Sequence, residues 1–158
     1  MFLRDVFQPE FIKVNLESED KDEVFEEMVD HFCHAGKTNA KRAVILEAIR
    51  KREAKMSTGI QKGIAIPHAT SDAVDKVSGV LGVSRKGIDY DALDGEPVYL
   101  LFMVIAPPTD TEEHLRTLKH LAESLENPQF CDDLQSQKDS RGVYKIICNF
   151  EDTLTALE

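Results

Sequence analysis

VYLLFMVIAPP, residues 98–108, is the longest apolar stretch of the chain. It covers about half of the ~20 residues that a helix needs to cross a bilayer, so direct membrane insertion is not expected. It also lacks the apolar–polar alternation of a strand with one wet face. An unbroken apolar run stopped by Pro107-Pro108 reads as a strand covered on both faces, and such a strand needs helices above and below its sheet. The fold class follows from this stretch.

Working outward, Asp94-Gly95 marks the turn before that strand. Two further strands are expected over Val77 to Arg85 and Ile64 to Pro67, and a short alternating one over Phe11 to Leu16. Asp20 with Glu23 can cap a helix whose apolar stripe is Val24, Phe25, Met28, Val29 and Phe32, ended by Gly36. A second helix is predicted from about Asn39 to Lys55, with Ile45 and Ile49 inward. After the double proline, Thr109 and Glu112 read as another capping box. The helix behind it carries Leu115, Leu118, Leu121, Ala122 and Leu125. Asn127-Pro128 breaks it, a short helix reaches about Gln135, and a last one runs near Ser140 to Phe150. With no repeat and no low-complexity linker, residues 1–158 read as one domain. The expected fold is α/β, a single-domain three-layer sandwich with a central mixed β-sheet and helices on both faces.

Composition narrows the function. The chain is 42% hydrophobic and 30% charged over 158 residues, as in ordinary globular proteins. Cys33, Cys131 and Cys148 form no CxxC pair, which suits reduced thiols in a cytoplasm rather than a disulfide framework or zinc site. The N-terminal MFLRDVFQPEF has no basic region followed by an apolar core, so no secretory signal is expected. A net charge of −10 disfavours nucleic acid. The same acidity suits a basic protein patch or, equally, simple solubility.

No phosphate loop, dinucleotide fingerprint, HExxH or GxSxG elbow is present. Five histidines remain. His31 and His34 stand one helical turn apart without an evident third ligand, so no metal is expected. His120 aligns with Glu113 and Arg116 on what reads as the wet face of its helix. His114 instead heads the stripe formed with Leu118, Leu121 and Leu125, as a buried structural histidine or a functional one. Arg52 continues the buried face of Ile45 and Ile49. It suits an anion, or it snorkels or forms a structural salt bridge. His68 has the strongest position, because Ile64-Ala65-Ile66 stops at Pro67 and delivers it to a strand end, where open α/β sheets place ligands. Ala69, Thr70 and Ser71 follow with little bulk and with donors that could cradle an anion. Neutral imidazole as nucleophile, with cations and N–H donors around it, fits phosphoryl transfer.

Arg52-Glu53, STGIQKGIAIPHA (57–69), GIDYDALDGEPVYLLFMVIAP (87–107) and EEHLRTLKHLAESL (112–125) resemble the fructose/mannitol-type enzyme IIA domain of the bacterial phosphoenolpyruvate-dependent sugar phosphotransferase system. The likeness covers nearly the whole chain, and its Gly-Ile-Ala-Ile-Pro-His block is specific. It implies that His68 accepts a phosphoryl group at Nε2 from a phosphohistidine on the carrier HPr. It further implies transfer to a IIB partner, with Arg52 and His114 steadying the group. Sequence chemistry alone leaves the two ring nitrogens open. HPr is expected to dock on an apolar rim near Ala69 and Ala106, and neither ATP nor another cofactor is required. The resemblance also includes a nitrogen-regulatory branch, in which the phosphorylation state governs binding to other proteins. The sequence does not separate that role from transport, nor name a sugar.

Overall fold

The computed structural model describes residues 2–36 and 41–157. Strand β6 (Val98–Ala106) is the spine of the sheet, and its side chains alternate between two cores. Leu101, Met103 and Ile105 face one cluster, packed against α2 (Lys21–Gly36) and α3 (Arg42–Glu53). Leu100, Phe102 and Val104 face the other, covered by a short α1 (Leu3–Val6), α4 (Thr111–Ser124), α5 (Pro128–Ser136) and α6 (Ser140–Ala156). This two-sided burial explains the unbroken apolar run.

The sheet is mixed, in the order β1-β5-β6-β3-β2. Strand β1 (Ile12–Lys13) lies parallel to β5 (Ser78–Ile88), and β5 is antiparallel to β6. The predicted strand from Phe11 to Leu16 shrinks to two residues, and its first residue, Phe11, belongs to a 3-10 turn with Pro9 and Glu10. Strand β2 (Gly59–Gln61) turns back antiparallel into β3 (Ile64–Ala65), and β3 runs parallel to β6. After Ile66-Pro67 the chain rejoins β6 as β4 (His68–Thr70), pairing His68 with Val104 and Thr70 with Ala106. His68 therefore opens a second strand segment instead of standing just beyond the first. Proline, which has no N–H for the ladder, marks the interruption.

Caps fix the helix starts. Asp20 caps α2 as expected, accepting from Glu23 N at 2.9 Å. The Glu23 carboxylate reaches one residue past the cap and accepts from Glu19 N at 2.9 Å, so the reciprocal half of the expected box is shifted. At α4 the expected cap moves by one residue, since Asp110 and not Thr109 accepts from Glu113 N. The buried stripe of α4 is His114, Thr117, Leu121 and Ser124. Leu115 and Ala122, expected inside, are exposed. The predicted start of α3 at Asn39 lies outside the described residues.

The far end of α4 corrects another expectation. His120 is not on a wet face, because its Nε2 lies 2.7 Å from Oε2 of Glu151, a carboxylate only 1% exposed. Glu151 also accepts from the backbone N–H groups of Leu3 and Arg4 at 2.7 and 3.0 Å. That single α6 residue ties the N-terminus of α1 to α4. His120, expected in water, is instead satisfied by a buried carboxylate.

Candidate active site

Three elements converge at one end of β6. Helix α3 ends with Arg52 and Glu53, β4 presents His68, and the first turns of α4 present His114. They line a cleft of about 560 Å³ together with Ala69, Thr70 and Ser71. The structure thus brings together every residue singled out for anion chemistry. His31 and His34 lie elsewhere on α2, and among the described residues no group of three ligands joins them.

His68 is half-buried, and its Nδ1 lies 2.8 Å from the carbonyl oxygen of Ile66. A carbonyl only accepts, so Nδ1 carries the proton and Nε2 keeps its lone pair. Burial holds the imidazole below its ordinary pKa and the Arg52 charge pushes the same way, while the Ile66 carbonyl and Glu53 pull back. The neutral ring is the nucleophilic form.

His114 is 8% exposed, and its ring centroid lies 6.0 Å from that of His68 at 73°. Its Nε2 is buried and has no hydrogen-bond partner among the described residues. Such an orphan costs about 1–3 kcal/mol unless a ligand atom meets it. Burial and the neighbouring His68 also depress its pKa. Of its two open roles, this polar atom in the cleft wall favours the functional one.

Arg52 is half-buried rather than continuing the core, and its Nη1 donates to Met56 O at 3.0 Å. Among the described residues the remaining guanidinium N–H groups stay available for an anion. The small residues after His68 differ in what they can offer. Thr70 is exposed to the cleft, whereas Ser71 donates its amide to Ala106 O at 2.9 Å and its Oγ accepts from Ala73 N at 3.1 Å. Thr70 is therefore the better placed of the two.

The expected apolar rim also changes. Ala69 and Ala106 themselves are buried, at 6% and 0% exposure, and offer a partner little surface. Exposed apolar side chains are supplied instead by Val44 in the cleft wall, Met56 beside Arg52, and Leu115 next to His114. Charged residues of the cleft include Lys51, Arg52 and Lys55 against Glu47 and Asp72, so the site is less acidic than the whole chain.

Sequence reasoning gave Glu53, Thr58 and Tyr90 no role. Glu53 is 8% exposed and accepts from Thr58 N at 2.9 Å and from Thr58 Oγ1 at 2.6 Å. Tyr90 Oη is 2.7 Å from Thr58 Oγ1, and Lys21 Nζ is 3.0 Å from the carboxylate. One signal was legible: Glu53 falls four residues after Ile49, on the inward face of α3.

The family described as "Phosphoenolpyruvate-dependent sugar phosphotransferase system, EIIA 2" matches residues 5–150. The chain is 37% identical over 147 residues to the fructose-specific EIIABC component of Bacillus subtilis, covering 93% of this chain and 23% of that protein. It thus spans about a quarter of that relative's length. It is 35% identical over 127 residues to the fructose-specific EIIA component of Haloferax volcanii, covering 80% and 82% of the two chains. Among solved structures it is similar to the nitrogen regulatory protein IIA-Ntr of Neisseria meningitidis, with a TM-score of 0.82 and 28% identity over 90% of this chain and 97% of that one.

Proposed function

The chain belongs to the EIIA 2 family of the phosphoenolpyruvate-dependent sugar phosphotransferase system, and from that premise we propose that it carries a phosphoryl group on Nε2 of His68. The observation that carries this reading is the 2.8 Å contact from His68 Nδ1 to Ile66 O. It leaves Nε2 unprotonated in a cleft shared with Arg52 and with the Nε2 of His114, which has no partner among the described residues.

Phospho-HPr is the proposed donor, on its own phosphohistidine. The lone pair on His68 Nε2 attacks phosphorus in line, and the P–N bond to the donor imidazole breaks with its electron pair returning to that ring. No proton has to leave Nε2, because it carries none. The Nδ1–H bond to Ile66 spreads the positive charge that the ring acquires. Arg52, and His114 as its Nε2–H tautomer, donate to the phosphoryl oxygens. Docking holds both imidazoles in register, which supplies much of the rate. In the second transfer a IIB cysteine thiolate attacks phosphorus in line, and the P–N bond breaks with its electron pair returning to His68 Nε2.

Incubation with phosphoenolpyruvate, enzyme I and HPr should label the chain with an acid-labile, alkali-stable phosphate. His68→Ala should take up none, and stoichiometric uptake by that variant would refute the assignment.

The structural likeness to IIA-Ntr favours a second role for the same chemistry, in which other proteins distinguish phosphorylated from unmodified His68. A neighbourhood of genes for IIB and membrane IIC components supports transport. Phosphorylation-dependent capture of non-transport proteins supports regulation.

A further inference from the structure

Glu53 is buried but stays ionised. Burial alone would raise its pKa, but the Thr58 hydroxyl and amide and the Lys21 ammonium outweigh that and leave it below the ordinary value. Lys21 also sits 4.7 Å over the Tyr90 ring, and Tyr90 Oη reaches Glu53 Oε1 at 3.3 Å as well as Thr58 Oγ1. A buried carboxylate with this many donors costs free energy to lose and holds its partners firmly.

What it holds leads to His68. Thr58 is fixed through its amide and its hydroxyl on the two oxygens of Glu53. The Thr58 carbonyl accepts from Ile66 N at 3.0 Å. The Ile66 carbonyl in turn accepts from His68 Nδ1 at 2.8 Å. Pro67 confines Ile66 to extended backbone, so a fixed Ile66 N–H also fixes the direction of its C=O. Arg52 donates to Met56 O, two residues before Thr58 in the chain.

We propose that Glu53 and Thr58 are positioning residues for His68: they set the Ile66 carbonyl where it selects the Nδ1–H tautomer and aims Nε2 into the cleft. A free imidazole side chain favours the opposite tautomer, Nε2–H, which has no lone pair on the nitrogen assigned to attack. The carbonyl must therefore overcome that preference, and a carbonyl displaced by a few tenths of an ångström does so less well. The catalytic consequence rests on His68 as phosphoryl acceptor. The tautomer itself does not.

The test is long-range proton–nitrogen NMR of the full-length protein, at a pH above the titration of His68, alongside initial rates of phosphoryl uptake. The unaltered chain should show His68 as Nδ1–H alone. Thr58→Val and Glu53→Gln should show a mixture with Nε2–H and slower uptake, by about tenfold, the scale expected of a small misplacement. Thr58→Ser, which keeps the hydroxyl, should restore both. A folded Thr58→Val with pure Nδ1–H would overturn the proposal. If Thr58→Val does not fold, Tyr90→Phe is read instead, because it removes one hydroxyl and keeps the ring. A minor Nε2–H population in Tyr90→Phe supports the proposal, and an unchanged tautomer overturns it. Phosphate uptake by His68→Ala would remove the phosphocarrier reading and leave the tautomer result standing, since that measurement needs no donor.

Discussion

At the scale of single residues, the site combines neutral imidazoles with one guanidinium. Arg52→Ala and His114→Ala are each expected to slow phosphoryl uptake by about 10²-fold, the scale of removing one donor to a charged intermediate. Each should cost at most about 1–3 kcal/mol of stability. Rapid-quench uptake kinetics on folded variants checks this, and normal rates would return both residues to a structural role. Burial also couples the site to pH. His31, His68 and His114 are all held below their ordinary pKa, with burial as the largest cause. As pH falls below about 6.5, the unfolded chain binds protons that the folded chain refuses. This contribution to stability is therefore complete above about 6.5 and is lost as pH drops through the folded values. Denaturant midpoints measured from about pH 8 to about pH 5 should fall, and His114→Asn should flatten that fall. The depressed carboxylates Glu27, Glu53 and Glu151 act in a separate window, below their ordinary value of 4.5.

At the scale of elements, the turn between β2 and β3 sets how the strand leading to His68 enters the sheet. Lys62 and Gly63 have φ of 55° and 77°, the paired left-handed conformation of a two-residue hairpin. A Cβ on Gly63 would also lie 2.9 Å from Tyr99 Cδ2. Gly63→Ala should therefore lose about 1–2 kcal/mol, and Lys62→Asn should gain up to about 1 kcal/mol, both read from urea unfolding. Such elements were unevenly legible in the sequence. Strand β6 and the α2 stripe were clear because burial there is apolar and periodic. Helix α1 has four residues, too few to display a period. Leu115 misled because apolar character does not require burial, and His114 and Thr117 take the inward positions instead. Arg52, His68 and His114 could be found from stripes and a strand end. Glu53 shows only its place on the inward face of α3, four residues after Ile49, and Thr58 and Tyr90 show nothing, because no periodic stripe carries them inward. Only the folded chain shows that their partners are one another.

At the scale of the whole molecule, charge is distributed against the average. The chain carries −10 overall, but among the described residues the cleft gathers three cations against two carboxylates. On the proposed phosphocarrier reading, the global field repels the dianionic phosphoryl group even where it attracts a basic protein face, and Lys51, Arg52 and Lys55 would offset that repulsion at the cleft. Exposed charges of this kind act on encounter more than on the docked complex, and they are screened beyond about 8 Å at physiological salt. Reversing Lys51 and Lys55 together, as Lys51→Glu with Lys55→Glu, should lower the association rate with phospho-HPr about tenfold at low salt. The dissociation rate should change by no more than about twofold, because rim charges mainly alter encounter. Near 1 M salt the screening length shrinks to about 3 Å, and the difference between the two proteins should close. Stopped-flow association measured across salt concentrations separates these quantities. Identical rates for both proteins at every salt concentration would mean that recognition rests on Val44, Met56 and Leu115, and that the cations at the cleft serve only the bound phosphoryl group.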